Sequence, residues 1–406
     1  MPVVWPLGWE ATNGMGSGSG HLYPSSQFSR VVVFRPDADD LGAATGDACE
    51  PGSPYLPCAA DLSSDHCSNE MGKGGRDAEG TDRKVTVSIV IVSFNTRELT
   101  LACLKSVLRE TRIHPFEVLV VDNASSDGSA EAIMAEFEAV RVFSLRQNEG
   151  FARANNIGAE HARGEYLLLL NPDTVILDQA IDRLIETANQ RPDVSIFGGK
   201  TLFPDGTLNP KFCFQQPTLW SAWCRGIGIS ALFKGNRVFD PEMIGYRVAG
   251  GQQAVDVVSG CFFLIRKELW RRLGGFDCRF RMYAEETDLC LRAAAIGEKC
   301  VVDANARIVH YGGASESIVE DKYVRLFAAK ARLFRKHWAG LKGVLGVMSL
   351  DVWAATRVVG FAAGSILFPS LRSKLGSWRG ILSRRREWTG RCTGVPDASR
   401  LQGPGA

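Results

Sequence analysis

The sequence has no excess of positive charge, and this absence argues against a nucleic-acid partner. Its 47 lysines and arginines stand against 45 aspartates and glutamates, which leaves a formal net charge of +2 at pH 7. A protein that binds nucleic acid needs a dense basic face to neutralise the phosphates. We therefore expect no nucleic-acid partner, although 45% hydrophobic residues are enough for a sizeable globular core.

The sequence also lacks metal-type cysteine spacing and the features of a secretion signal. Its 11 cysteines include no CxxC pair, and most of the later ones lie in apolar or helical patterns, where free thiols pack in a reducing compartment. Cys49, Cys58 and Cys67 recur at a regular spacing in a polar segment, which leaves a metal site, a disulfide or coincidence open. "MPVVWPLGWE" has no basic start and no uninterrupted apolar run, so export is not expected.

Composition divides the chain into four segments. Residues 1–84 are rich in Gly, Ser, Pro and Asp with little periodicity, which predicts a disordered leader. Residues 85–338 alternate short apolar runs with helical patterns, which predicts one α/β domain with halves at 85–200 and 201–338. Residues 339–388 read as an apolar and basic helical tail, and 389–406 as disordered.

The first half predicts a parallel sheet covered by helices on both faces. Apolar runs at 87–94, 116–123, 140–145 and 165–171 are each followed by a helical pattern, and strands that are apolar on both sides are typical of buried parallel sheets. Asn95 and Glu98 are spaced like a helix N-cap and its partner. Asp178 is placed to cap the fourth helix, which follows the leucine run.

Polar residues follow each predicted strand, and in such sheets ligands bind beyond the carboxyl ends of the strands. Asp173 ends the run "LLLLNPDT" and offers the hard oxygen that Mg²⁺ or Mn²⁺ prefers. His310 could be a second metal ligand or a structural histidine. The acids Glu285 and Glu286 suit a general base, or simply an acidic helix start. The other strand-end residues are Ser93, Asn95, Asp122, Asn123, Asn148 and Gly150.

Seven segments, in this order, resemble the family 2 glycosyltransferases, especially their bacterial rhamnosyltransferase-like branch. They cover residues 88 to about 337 and read "SIVIVSFN", "VLVVDNASSDGS", "NEGFARANNIG", "LLLLNPDT", "VSGCFFLIRKELWRRLGGFD", "MYAEETDLCLR" and "VHYGGAS". The resemblance implies a GT-A fold, in which a Rossmann-like, mostly parallel α/β sheet binds a nucleotide-sugar beside an acceptor-binding half.

The resemblance also implies roles for individual residues. Asp173 stands at the last position of the family's DXD metal motif, where Asn171 replaces the first Asp and leaves one carboxylate. Glu286 aligns with the catalytic base and Glu285 with the acid before it, and His310 with a histidine that closes over the diphosphate. The donor would be bound by Ser93, Asn95, Asp122, Asn123, Asn148, Gly150, Phe151, Arg153 and Asn156, and the acceptor side would include Gly260, Asp277 and Asp288.

The implied reaction is an inverting transfer from dTDP-rhamnose or a UDP-sugar to a glycan or lipid-linked acceptor in bacterial surface polysaccharide synthesis. A binding scaffold without transfer activity is the alternative, but it has no use for the acids Glu285 and Glu286. A nucleotidyltransferase is disfavoured because no Gly-rich, basic phosphate loop follows the first strand.

The apolar segment at 343–369 contains Asp351 and Arg357, and a charge near a bilayer centre costs about 2.5 to 3.5 kcal/mol. A helix lying on an anionic membrane surface at the cytoplasmic face, with Trp378 and the following arginines at the headgroups, fits better than a spanning helix. A helical pair packed on the core is the alternative.

Overall fold

A computed structural model describes residues 84–312 and 319–390. The predicted leader and the predicted disordered end therefore lie outside the described residues, apart from Lys84 and residues 389–390. Cys49, Cys58 and Cys67 also lie outside them. Each of the seven cysteines within the described ranges is a free thiol.

The first half is a run of strand-helix units, as the alternating pattern predicts. Its four strands pair in parallel in the order β3-β2-β1-β4. The elements are β1 (Val87–Ser93), α1 (Arg97–Glu110), β2 (Phe116–Asp122), α2 (Ser129–Glu136), β3 (Arg141–Ser144), α3 (Phe151–Glu160) and β4 (Tyr166–Leu170).

The second half extends the same sheet with strands of both directions. The extending elements are β5 (Thr174–Ile176), α4 (Ala180–Gln190), β6 (Ile196–Leu202), β7 (Leu208–Asn209), β8 (Cys213–Phe214), α5 (Leu219–Ile227), α6 (Ile229–Leu232), β9 (Gln252–Val255), β10 (Val257–Val258), β11 (Phe262–Arg266), α7 (Lys267–Leu273), α8 (Glu285–Ala295) and β12 (Cys300–His310). The main order is β3-β2-β1-β4-β11-β6-β12-β5. Only β11 and β5 in this order run against the others, so the predicted mostly parallel α/β sheet of the GT-A type is confirmed.

The leucine run of β4 is apolar throughout because both of its faces are buried. Leu168 and Leu170 belong to the core beneath α1, α2 and α4. Leu167 and Leu169 point the other way, into the core that α3, α7 and α8 cover. Successive side chains of a strand face opposite sides, so a central strand with helices on both faces needs an unbroken apolar sequence.

Two predicted helix caps are wrong. Helix α1 follows Thr96, and Asn95 has a positive φ of 52°, with its Oδ1 accepting the Ser126 N–H at 2.8 Å. Helix α4 follows Gln179, and the Asp178 carboxylate pairs with Arg307 instead. In both cases a long-range partner outcompetes the local backbone amides that a side-chain cap would bind.

The predicted helical C-terminal region is confirmed, and its helices share one core with earlier elements. The helices are α9 (Val319–His337), α10 (Gly340–Leu367), α11 (Arg372–Ser383) and α12 (Arg386–Thr389). Phe327 of α9 lies among Trp353 of α10, Trp378 of α11 and Trp388 of α12, with ring centroids 5.2 to 6.4 Å apart. Aromatic rings at these separations interact favourably beyond the area they bury.

Candidate active site

The carboxyl ends of the parallel strands bring the predicted donor residues to one edge. Ser93 and Asp122 lie opposite each other at the ends of β1 and β2, and the Asn123 N–H donates to the Ser93 carbonyl at 2.8 Å. The Ser93 hydroxyl is fully buried, within 3.1 to 3.2 Å of the Thr96 and Thr100 hydroxyls. The Ser93 side chain therefore ties the end of β1 to the start of α1 and is not accessible to solvent.

Asp122 carries an open hydrogen-bonding position at this edge. Its Oδ2 accepts the Ser125 N–H at 3.1 Å, while its buried Oδ1 has no hydrogen-bond partner among the described residues. Burial raises the pKa of the carboxyl above its ordinary value, against the hydrogen bond from Ser125. An unpartnered buried oxygen is costly, so this atom is suited to accept a hydrogen bond from a ligand.

The loop before α3 is held by side-chain amides from the neighbouring strand end. Asn123 Nδ2 donates to Asn148 Oδ1 at 3.1 Å, and the Glu149 N–H donates to Asn123 Oδ1 at 2.9 Å. Asn148 Oδ1 also accepts the Gly150 N–H at 2.9 Å. Asn123 and Asn148 thus fix the position at which helix α3 begins.

A segment from the other half of the sheet closes over this loop. The Arg281 carbonyl accepts the Phe151 N–H at 2.7 Å, and the Arg281 guanidinium donates to the Asn148 carbonyl at 2.8 Å. Gly150, at φ +85°, leaves no room for a side chain, because a Cβ would lie 2.8 Å from the Arg281 carbonyl oxygen. Sequence reasoning missed Arg281, whose only signal is an arginine in the stretch "RFRMY", 133 residues from Asn148.

The same segment delivers the two predicted catalytic acids. Tyr283 and Ala284 both have positive φ, 70° and 66°, and α8 begins at the next residue, Glu285. Non-glycine residues in this region are strained, and such strain clusters at functional sites. A Cβ placed on Gly260 would lie 3.7 Å from the Glu286 Cβ and 3.8 Å from the Phe151 ring. Gly260 therefore lies between Glu286 and Phe151, the first residue of α3.

The two acids differ in exposure. Glu285 is 5% exposed, and its Oε2 has no hydrogen-bond partner within the described ranges; burial, reinforced by Glu286, raises its pKa well above the ordinary value. Glu286 is partly open to solvent. Burial raises the pKa of Glu286 as well, and the nearby ammonium of Lys330 acts in the opposite direction. The sequence left the choice of base open, and this geometry favours Glu286.

Asp173 and His310 lie together at the end of β4. His310 Nε2 is 3.3 Å from Asp173 Oδ1, and Asp173 Oδ2 accepts the Gly312 N–H at 2.9 Å. Burial disfavours the imidazolium, yet Cys261 and Asp173 raise the pKa of His310 to about 10. The buried Asn171 Oδ1 has no partner in the described part of the chain. The described residues hold no cluster of three His, Cys, Asp or Glu side chains of metal-site type.

Two predicted donor residues have other partners. Both polar atoms of the Asn156 amide bind the backbone of Phe276, each at 2.9 Å, which ties α3 to the segment before α8. Arg153 is half-exposed and pairs with Glu149 at 3.2 Å. Asn156 therefore has a structural partner, whereas Arg153 can still turn towards a ligand.

Two predicted acceptor residues, Asp277 and Asp288, are paired with cations. Asp288 is fully buried, and its carboxylate is bound by Arg292, Lys336 and His337 at 2.6 to 2.8 Å. Asp277 pairs with Arg279 and with Lys336, both at 2.7 Å. Burial opposes ionisation of both acids, but these cations lower the pKa of each carboxyl. The Asp288 carboxylate anchors α8 to α9, and the Asp277 carboxylate ties the segment before α8 to α9. Gly260 is the predicted acceptor-side residue that lies next to Glu286.

Comparison with known proteins agrees with this architecture. Residues 88–273 match the model of glycosyl transferase family 2. The chain is 31% identical over 356 residues to the O-antigen biosynthesis protein RfbC of Myxococcus xanthus, an alignment that covers 82% of this chain and 25% of that protein. It is 28% identical over 211 residues to the N-acetylglucosaminyl-diphospho-decaprenol L-rhamnosyltransferase of Mycobacterium tuberculosis, covering 48% of this chain and 67% of the relative.

Among solved structures, the mannosyltransferase PcManGT of Pyrobaculum calidifontis, in complex with GDP-Man and Mn²⁺, is similar with a TM-score of 0.48 and 16% identity. The match covers 76% of this chain and 89% of that one. The mostly parallel sheet with helices on both faces defines an α/β fold. Residues 88–273 are thus a glycosyl transferase family 2 domain, and the chain spans about a quarter of the length of the Myxococcus relative.

Proposed function

We propose that this chain transfers a sugar, with rhamnose as the first candidate, from a nucleoside diphosphate to a hydroxyl of a glycan or lipid-linked acceptor. The names of the relatives, an O-antigen biosynthesis protein and a diphospho-decaprenol L-rhamnosyltransferase, support this substrate class and a place in surface polysaccharide synthesis. The donor is dTDP-rhamnose or a UDP-sugar, and the reaction takes place in the cytoplasm. The observation that carries the proposal is the position of Glu286 beside Gly260 and Phe151.

The donor nucleotide binds along the edge formed by β1, β2 and the loop before α3. The unpartnered Oδ1 of Asp122 accepts a hydrogen bond from an N–H of the base, which relieves the cost of an unpaired buried oxygen. Asn95, Asn148 and the start of α3 at Gly150 lie at the same edge, where the ribose and diphosphate follow. Arg153 and Arg281 supply positive charge near the phosphates.

A divalent Mg²⁺ or Mn²⁺ ion would be held by Asp173 and, once it has lost its proton, by His310. One carboxylate plus substrate phosphate oxygens is a usual environment for such ions, and the unpartnered Asn171 Oδ1 is a further oxygen at this place. When bound, the ion would neutralise charge on the diphosphate. As imidazolium, His310 can itself face the leaving phosphate, which compensates for the single carboxylate of this motif.

Glu286 is the general base in a single displacement. The acceptor O–H loses its proton to the Glu286 carboxylate while the acceptor oxygen bonds to the anomeric carbon. The bond from that carbon to the diphosphate oxygen breaks, and the nucleoside diphosphate leaves with the electron pair. Attack opposite the leaving group inverts the anomeric configuration. The raised pKa of Glu286 suits proton transfer near neutral pH.

The test is Glu286→Gln, which keeps the shape of the side chain and removes the base. After thermal-shift screening of dTDP-rhamnose and UDP-sugars has identified the donor, we expect turnover to fall by about two to four orders of magnitude with nearly unchanged nucleotide affinity. Glu138→Gln, on the exposed surface before β3, is the matched control and should keep wild-type turnover.

Near-normal turnover of Glu286→Gln would exclude Glu286 as the base. A wild-type protein that binds the donor but releases no nucleoside diphosphate with any acceptor would instead indicate the scaffold function. NMR of the product's anomeric centre tests inversion directly.

A further inference from the structure

The second half of α10 exposes large apolar side chains. Ile366 is 81% exposed and Leu367 is 75% exposed, and Val359 and Phe368 are also mostly exposed. By length and hydropathy α10 could cross a membrane, and it is the one such helix within the described ranges. A soluble surface rarely shows several large apolar residues along one helix end without a partner for them.

A second exposed apolar segment, α6, follows the point where α10 contacts α5. The Thr356 hydroxyl donates to the Gly226 carbonyl at 2.7 Å, and a Cβ on Gly226 would lie 2.7 Å from the Ser349 carbonyl oxygen. The chain continues from this close contact into α6, where Leu232 is 79% exposed and Phe233 is 47% exposed. We define the α6–α10 surface as Leu232, Phe233, Val359, Ile366, Leu367 and Phe368.

The first half of α10 is part of the protein core, which argues against a spanning helix. Leu350 and Ala354 are buried in the C-terminal core. Asp351 accepts from the Trp388 indole and the Arg385 guanidinium, so its charge faces α12. Beyond Ala354 helix α10 contributes no buried residue, although Leu341, Val344 and Met348 of its first half are also exposed. The part that is free of the core is about half of a 28-residue helix, which is too short to cross a bilayer.

The sequence around the α6–α10 surface is basic, although Arg384 and Arg385 are paired with Asp321, Glu387 and Asp351. Residues 352–386 contain seven arginines and lysines and no acid, and residues 219–239 contain three and no acid. Arg372, Lys374 and Arg379 are exposed. Two copies of the chain meeting through this surface would bring these cations against each other, which is repulsive, whereas an anionic surface would neutralise them.

We propose that the α6–α10 surface docks the protein on the interface of an anionic lipid bilayer. The apolar side chains enter the boundary between headgroups and acyl chains, and the flanking cations meet lipid phosphates. The residues differ from those expected from the sequence: Trp378 is buried against Tyr323, with ring centroids 4.8 Å apart, and cannot anchor in lipid. The docking would stand whichever acceptor the enzyme uses.

The test is co-sedimentation of the full chain with vesicles of phosphatidylglycerol and phosphatidylethanolamine, compared with phosphatidylcholine alone. We expect binding to the anionic vesicles that weakens as salt is raised. The double variant Ile366→Glu/Leu367→Glu should reduce that binding by about tenfold or more. Arg372→Gln/Lys374→Gln should reduce it by about thirtyfold, which is what two cations near an anionic surface contribute.

Ile113→Glu/Ile296→Glu is the matched control. The two isoleucines are 57% and 50% exposed, and they lie outside α6 and α10, in the loop after α1 and directly after α8. This control should bind vesicles like the wild type, and circular dichroism should show all variants folded. Equal binding of the Ile366→Glu/Leu367→Glu variant and the wild type would overturn the proposal. So would a dimer in light scattering that this variant alone dissociates, because the surface would then bind a second copy.

Discussion

Glu285 and Glu286 are neighbours in sequence but differ in how far their carboxyl groups are shielded from solvent. Glu286, the proposed general base, is partly exposed, whereas Glu285 is enclosed and one of its oxygens has no partner among the described residues. Enclosing a carboxylate costs free energy when it is charged. The enclosed acid therefore makes the stability of the protein depend on pH.

We predict that Glu285→Gln stabilises the protein at pH 7 to 8 and has little effect near pH 4. Burial and Glu286 raise the folded-state pKa of Glu285, so the folded state holds a proton that the unfolded chain loses above its pKa of about 4.3. Its stabilisation is full below that value and is lost as pH rises through the folded-state pKa. The glutamine stays neutral throughout, and denaturant unfolding of both proteins at several pH values measures the difference.

The matched comparison is Glu286→Gln, which changes the same charge one residue later at a partly open site. This substitution should change the pH dependence of stability less, because Glu286 has a raised pKa but is partly exposed. A Glu285→Gln variant with the same stability difference from wild type at pH 4 and pH 8 would contradict the prediction.

At the scale of elements, α3 and the segment before α8 meet with no space between them. Gly150 lies at φ +85° against the Arg281 carbonyl, and the same segment continues through two strained residues to Glu285. A displacement at Gly150 would therefore be transmitted to the acids at the start of α8.

We predict that Gly150→Ala lowers turnover by about tenfold or more and weakens nucleotide binding, because a small misplacement of catalytic groups is costly. Gly206→Ala is the control: Gly206 also has a positive φ, 79°, but nothing lies within 4 Å of an added Cβ. Both substitutions carry a backbone cost of about 1 kcal/mol, and Gly150→Ala adds the clash with the Arg281 carbonyl, so we expect it to be the less stable of the two. Steady-state kinetics and thermal unfolding separate the two effects, and equal activity of both variants would show that the contact at Gly150 does not transmit to the acids.

These elements also show what the sequence could predict. The leucines of β4 and the polar residues after each strand follow from local periodicity, so the sheet and most of its ligand edge could be predicted. The pairing of Arg281 with Asn148 and the α6–α10 surface could not, because they depend on contacts between residues more than 100 positions apart. The Asn95 and Asp178 caps were wrong for the same reason: distant partners outcompete the local amides.

At the scale of the whole molecule, composition suggested a tail that begins after Trp338. In the structure α9, from the predicted 85–338 domain, and α10 to α12, from the predicted tail, pack around one core. Lys336 of α9 binds both Asp277 and Asp288 next to the acids of α8. The C-terminal helices therefore support the element that carries the candidate base.

We predict that Trp388→Ala destabilises the protein by about 3 to 5 kcal/mol, the usual cost of emptying a buried tryptophan site. Trp388 is 1% exposed, packs edge-on against Phe327 and donates its indole N–H to Asp351. Trp220→Ala is the matched control, because Trp220 is 55% exposed and its one hydrogen bond to the Val238 carbonyl is worth about 1 kcal/mol. Denaturant unfolding, followed together with enzyme turnover, measures both. If α9 to α12 fold with the sheet, turnover and structure are lost in one transition at a lower denaturant concentration in Trp388→Ala; full turnover after the C-terminal helices have unfolded would show that they are an independent unit.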